Sequence, residues 1–446
     1  MTMKKFIIKG GKALKGEVTV SGAKNVALKA LVAASLTDEE VIIENIPHIS
    51  DFSVMVEILK ELGGEVTIEG HTARVKVQQF TNTQVSLDKA AQTRTSSMFI
   101  APLLLRARQA TIPNPGGCRI GARPIDRTIG GLEQMGAEIS YASEDGYFHA
   151  RLGSGKRLCA TEYTFEKNTH TGTETLLIAS VLAEGTTVLK NAAEEPEIDE
   201  LISFLNAMGA QVKRKEPRVI VIDGVEKLHG ATFRVGPDRN EIVTFAIAAL
   251  ITDGEIFVKE AQKADLEYFL KELEKVGGGY ELKEDGIRFY AKGQLEATEI
   301  ATAIHPGFMT DWQGPWAVLM TKANGVSIIH ETVFENRFGY VSQLQKMGAK
   351  IELFNPVVQQ PEKFYNFNQA DVAKKTFHAA KIYGPTKLHN AAVYISDLRA
   401  GATLVLGALV AKGESVIFGV EYLDRGYENF DKRLQSLGAD IQRIAE

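Results

Sequence analysis

Cysteine is scarce in this chain: 446 residues hold only Cys118 and Cys159, 41 positions apart. That spacing gives neither a disulfide framework nor a zinc pattern, and no CxxC or HExxH occurs, so no metal is expected and a reducing compartment fits best. Long apolar runs are missing too. The longest, "MFIAPLLL", is far short of the roughly 20 residues that span a bilayer, so no membrane partner is expected. The N-terminus reaches Lys9, Gly10 and Gly11 after three apolar residues, so neither a signal nor a transit peptide is visible. Charge of one sign is also absent: the net charge is −5 with no block of like charges, which gives no global field for nucleic acid. Any anion site must be local. What remains, at 44% hydrophobic and 24% charged residues, is a soluble globular chain long enough for two domains.

What the sequence does have is a repeat. A hydrophobic residue followed by Gly and then Gly or Ala recurs at Gly63, Gly136, Gly209, Gly277, Gly348 and Gly438, with spacings of 73, 73, 68, 71 and 90. Each copy follows an amphipathic run such as "DFSVMVEILKEL", where a helix must stop, and Gly enters the left-handed region without penalty. Reading backward from each stop gives the same order: an apolar helix, a β-branched strand, a one-sided helix and a strand pair. The unit is roughly βαβαββ. The first helix is apolar almost all round and is expected to be buried; the second is expected to face water. Six units imply two domains of three. The last spacing holds roughly 20 extra residues, around "NPVVQQPEKFYNFNQADVAKKTF", read as an inserted loop.

Superposing the copies aligns their polar residues. The buried helices begin with "SGAKN", "TRTSS", "HTGTE", "DRNEI", "MTDWQ" and "SDLRAG", all polar and mostly charged. Helix N-termini carry unpaired N–H groups and partial positive charge, which suits phosphate or carboxylate. The second helices begin with a further layer that carries Arg123, Arg337 and Arg425, either as surface charge or as clamps on an anion. Cys118 lies in "GGCRIGARPID", where glycines leave the thiol little to pack against and Arg119 and Arg123 favour the thiolate. It reads as a mobile, reactive thiol, whereas Cys159 in "KRLCATEY" reads as a small buried hydrophobe. Asp311 reads either as an N-cap or as a general base. The lone "GSGK" at Gly153 lacks P-loop spacing.

Together "SGAKNVALKAL", "GGCRIGARPID", "LAEGTTVLKNAAEEPEI", "ETVFENRF", "SDLRAGATLVL" and "LDRGYE" resemble the UDP-N-acetylglucosamine 1-carboxyvinyltransferases, relatives of the shikimate-pathway synthase, from Lys9 to Ala439. The resemblance implies an α/β fold, a two-domain inside-out α/β barrel with three repeats per domain, one domain formed by 23–236 and the other by 1–22 with 237–446. It implies a cytoplasmic enzyme of peptidoglycan synthesis, a target of the epoxide fosfomycin, whose substrates are phosphoenolpyruvate and UDP-N-acetylglucosamine. No cofactor is implied, and no oligomeric state is specified. By the family pattern Lys24 and Asn25 hold phosphoenolpyruvate and the reacting hydroxyl, Arg123 and Arg425 clamp phosphate and carboxylate, and Arg94 and Arg399 support them. Cys118 matches the proton donor and Asp311 the residue near the sugar 3-hydroxyl. Arg123, Pro124, Ile125, Asp126 and Arg127, with Thr171, Gly172 and Val333, match contacts to the sugar nucleotide, to which Asn25 and Arg94 also belong.

The chain departs from the family pattern at Arg127, where an apolar residue is usual, at Ser50, where Lys is common, and at His170–Thr171 of "HTGTE", which replaces a Ser-Val-Gly phrase. The lysine before that phrase has only the shifted Lys167 as a candidate. Two other readings therefore stay open: the same chemistry on another nucleotide sugar, and a catalytically silent UDP-sugar-binding paralogue.

Overall fold

The computed structural model describes residues 4–117, 120–121, 124–153, 155 and 157–445. Two compact units form, one from Gly22–Gly117 with Pro124–Gly236, the other from the N-terminal strands through Ser21 with Pro237 onward. Ile120 and Gly121 group with the second. Each unit has its own hydrophobic core.

Composition explains the layering. The first helix of each repeat is sheathed: all 13 residues of Arg239–Ile251 are buried, and so are all but Asn25 of Lys24–Ala34. The second is amphipathic; in Ser50–Glu61 the buried residues Asp51, Phe52, Met55, Val56, Ile58 and Leu59 form one face. Each of the six stop glycines has positive φ, between 82° and 105°, as the repeat predicts.

Among the described residues there are five four-stranded sheets and one of three strands, in which a bridge between Gln84 and Thr111 stands for the fourth. In the third repeat, strand Glu162–Thr164 runs parallel to Thr186–Lys190, which pairs antiparallel with Val219–Asp223. The first and fourth repeats exchange their leading strands. Lys15–Thr19 runs parallel to Glu255–Lys259, and Thr232–Arg234 runs parallel to Val41–Glu44. Lys4–Lys9 completes the sixth sheet between Glu414–Phe418 and Asp440–Ala445. The extra residues of the last spacing lie between the paired strands Lys350–Phe354 and Ala379–Gly384. Their aromatic residues dock: Tyr365 Oη lies 3.0 Å from His330 Nε2, and the Asn366 N–H donates to the Thr332 carbonyl at 2.8 Å.

Cys159 corrects one expectation: it is exposed. It forms a bridge with Glu184 at a strand-like position where side chains alternate, and the neighbouring Leu158, fully buried, takes the inward place.

Among the described residues, three buried helices carry side-chain caps. Asp397 accepts from the N–H groups of Arg399 and Ala400, both at 3.0 Å. Asp397→Ala is expected to cost about 1 kcal/mol, seen as a fall of roughly 2–4 °C in the melting temperature by calorimetry. An unchanged midpoint would remove the cap from the account.

Candidate active site

In the first unit the polar starts of two buried helices are tied to the starts of second helices. Lys24 opens its helix without a side-chain cap, and its Nζ lies 2.6 Å from Asp51 Oδ2, with side chains 11% and 5% exposed. Asn25 beside it is half-buried. Arg94 opens the turn Arg94–Phe99 and donates from Nη2 to the Pro124 carbonyl at 3.3 Å. Tyr163 Oη donates to the Arg127 carbonyl at 2.7 Å. Both ends of the stretch Pro124, Ile125, Asp126, Arg127 are thus held, and Asp126 falls in the first turn of helix Asp126–Gln134, where the helix dipole favours an anion.

Helix His170–Ser180, which carries Thr171 and Gly172, is capped by Thr169, whose Oγ1 accepts from the Gly172 N–H at 3.2 Å. Beneath it the fully buried Glu174 is shared by Lys29, at 3.2 Å, and His170, at 3.1 Å. Burial opposes charge on His170, but Glu174 outweighs it and raises the pKa. The departure "HTGTE" thus brings a carboxylate-backed imidazole to a helix start. Of the other departures, Ser50 is an exposed first residue of its helix and Lys167 is half-buried.

In the second unit Asp311 sits in the turn Thr310–Trp312, ahead of the buried helix Gln313–Met320. Neither takes a side-chain cap from it. Instead Arg337 Nη2 donates to Oδ1 at 2.7 Å, and Arg399 Nη2 lies 3.0 Å from Oδ2. Burial alone would raise the Asp311 pKa; Arg399 and then Arg337 overcome it and hold the carboxyl well below its ordinary range. Arg399 also reaches Tyr427, with Nη1 3.5 Å from the hydroxyl and its guanidinium 5.7 Å from the ring centre. Tyr427 stands two residues after the half-buried Arg425, in a turn that Arg443 fastens through two 2.8 Å bonds to Asp424. Asp311, Arg399 and the Arg425 turn therefore form one cluster. Val333 lies beside it in the turn after strand Gly325–His330.

Cys118 and Arg123 lie outside the described residues. The described glycines before them, Gly116 and Gly117, are held against the backbone of Ala90 and Ala91. The Gly116 and Gly117 N–H groups donate to the Ala90 and Ala91 carbonyls, at 3.0 and 3.2 Å, and a Cβ on Gly116 would sit 2.1 Å from the Ala91 carbonyl oxygen. Close backbone approach is what requires glycine there. Ile120 is buried, and its carbonyl accepts from the Asn336 N–H at 3.0 Å.

Over 447 aligned residues the chain is 42% identical to a UDP-N-acetylglucosamine 1-carboxyvinyltransferase of Acidobacterium capsulatum, covering 99% of this chain and 96% of that protein. The chain belongs to the UDP-N-acetylglucosamine 1-carboxyvinyltransferase family. A second such transferase, from Magnetococcus marinus, is 40% identical over 444 residues, covering 99% of this chain and all of the other. The wider family appears in a match of residues 8–434 to the model described as EPSP synthase (3-phosphoshikimate 1-carboxyvinyltransferase). The enolpyruvyl transferase NikO from Streptomyces tendae superposes with a TM-score of 0.85 at 22% identity over the whole of both chains. An EPSP synthase from Acinetobacter baumannii gives 0.74 at 16%, over 99% of this chain and all of that one. These two establish the fold: the inside-out α/β barrel of enolpyruvyl transferases, built from the repeats described above.

Within the UDP-N-acetylglucosamine 1-carboxyvinyltransferase fold, sequence reasoning missed Glu331, Tyr427 and the carboxylate Glu174. Glu331 opens the quoted "ETVFENRF", where its signal was an acidic residue after an apolar strand; Tyr427 follows "LDRG" among polar residues and gave none. Arg337 was visible as an arginine at a helix start and Asp311 as a candidate base, but their pairing was not.

Proposed function

We propose that this chain transfers the enolpyruvyl group of phosphoenolpyruvate to the 3-hydroxyl of UDP-N-acetylglucosamine with release of phosphate, the first committed step of peptidoglycan precursor synthesis. The supporting observation is the buried Asp311–Arg337–Arg399 cluster at a helix start in a chain of this family. The reaction forms a bond from the 3-hydroxyl oxygen to C2 while a proton adds to the methylene carbon. The tetrahedral adduct then loses phosphate and a methyl proton, restoring the double bond. An acid, a base and fixed cations are needed.

Cys118 gives the proton to carbon, and Asp311 takes the hydroxyl proton. Lys24, Arg94, Arg123, Arg399 and Arg425 neutralise phosphate and carboxylate, with Asn25 orienting the hydroxyl. Pro124–Arg127, Thr171, Gly172 and Val333 hold the nucleotide sugar. In its present contacts Asp311 is a weak base, because two guanidiniums favour its charged form. An incoming phosphate or carboxylate competes for Arg399, and each hydrogen bond drawn away returns basicity to Asp311. The base is strongest when the second substrate is bound. A reactive thiol at Cys118 fits a reducing cytoplasm. Among the described residues no helix is long and apolar enough to cross a membrane.

Phosphate release from phosphoenolpyruvate, measured with and without UDP-N-acetylglucosamine, tests the reading; release is expected only with both. Cys118→Ala is expected to lower kcat by about 100-fold or more. It should also abolish inactivation by fosfomycin, in which the thiolate opens the epoxide to a thioether and the ring oxygen takes a proton. Full turnover of that variant would remove Cys118 from the acid role.

A further inference from the structure

Glu331, directly after strand Gly325–His330, is a carboxylate with 1% exposure, and its two oxygens take different donors. One accepts from the backbone N–H groups of Val333, at 2.8 Å, and Phe334, at 3.0 Å. The other accepts from Thr310 Oγ1 at 2.8 Å and Gln313 Nε2 at 3.4 Å. The Gln313 Oε1 in turn accepts from the Tyr340 hydroxyl at 2.7 Å, and the Thr310 carbonyl accepts from Arg337 at 3.1 Å.

A carboxylate this buried is costly unless its lone pairs are filled. Four donors fill these, and they come from two separate places: the turn carrying Asp311 with the helix start that follows it, and the turn carrying Val333. Thr310 is the residue before Asp311, so a shift of its hydroxyl moves the base. The Val333 and Phe334 N–H groups belong to a segment outside any helix or strand, and the Glu331 carboxylate replaces the ladder that segment lacks.

We propose that Glu331 is a positioning residue that sets the distance between Asp311 and the Val333 turn, and thereby aligns the 3-hydroxyl of the nucleotide sugar with its base. This rests on the transferase reading. It has no direct part in the chemistry, and the phosphoenolpyruvate cations on Lys24 and Arg94 are not among its partners.

The test compares Glu331→Ala and Glu331→Gln with the parent. For Glu331→Ala, kcat is expected to fall about 100-fold and KM for UDP-N-acetylglucosamine to rise about 10-fold, with KM for phosphoenolpyruvate within about twofold. Glu331→Gln keeps an acceptor for the two N–H groups and an amide that can donate to the Thr310 hydroxyl, so it should return to within about 10-fold of the parent. A folded Glu331→Ala with parental kinetics overturns the proposal. So does a loss spread equally over both substrates and not rescued by glutamine, which would mark a merely structural role. Should Glu331→Ala fail to fold, Thr310→Val removes only the hydroxyl link. It is expected to lower kcat about 10-fold at unchanged KM for phosphoenolpyruvate, and parental values would overturn the proposal equally. A parent without turnover would sink the transferase reading instead; the positioning claim is then decided by calorimetry with UDP-N-acetylglucosamine, expected about 10-fold weaker in Glu331→Ala, equal affinity overturning it.

Discussion

Asp311→Asn is expected to lower kcat for enolpyruvyl transfer about 1,000-fold, within the range for removing a positioned general base. The amide keeps an oxygen for one guanidinium but cannot accept the hydroxyl proton. It also removes the carboxylate that pairs directly with Arg337 and Arg399, whose side chains are 6% and 10% exposed. Breaking a buried ion pair from one side costs about 3–5 kcal/mol, so the variant should melt well below the parent. The pH dependence separates the two effects. The folded-state pKa of Asp311 is depressed, so the unfolded chain binds its proton first as pH falls. This contribution to stability is complete above the unfolded value of about 3.9 and is lost as pH falls toward the folded one. The melting temperature of the parent should therefore fall steeply below about pH 4 through this group, and the Asn variant should lack that component. Parental kcat in a folded Asp311→Asn would take the base role from this residue.

Lys24→Met is expected to lower kcat/KM for phosphoenolpyruvate by about 100- to 1,000-fold, because a charge-assisted contact to an anion is lost where water cannot replace it. Methionine fills nearly the same volume, so packing of the helix start is kept. Two consequences are coupled at this position. The ammonium, 2.6 Å from the buried Asp51, also balances that carboxylate, and its removal should destabilise the unit. The double variant Lys24→Met, Asp51→Asn removes both charges; it should regain most of the lost melting temperature and none of the lost activity. Recovery of activity with stability would mean that Lys24 acts only as a structural partner of Asp51.

The repeat was legible because it is written in local physics. Gly63, Gly136, Gly209, Gly277, Gly348 and Gly438 all adopt the positive φ that a helix stop demands, and the helices that are apolar beyond their polar starts, such as Arg239–Ile251, are the buried ones. Long-range partners were less legible. Asp311 and Arg399 are 88 positions apart and meet only through the packing of their helices. Cys159 looked like core by residue type, yet strand alternation with Leu158 turned it outward. Glu331 offered no more than an acidic residue after an apolar strand; its four donors come from turns whose proximity is a property of the fold.

The most direct test of the central claim is mass spectrometry of the nucleotide after incubation of the purified protein with phosphoenolpyruvate and UDP-N-acetylglucosamine. A UDP sugar heavier by one enolpyruvyl group, formed together with an equal amount of phosphate and absent when either substrate is withheld, is the predicted result. An unchanged UDP-N-acetylglucosamine, with a different nucleotide sugar accepting the group or no acceptor at all, would contradict it.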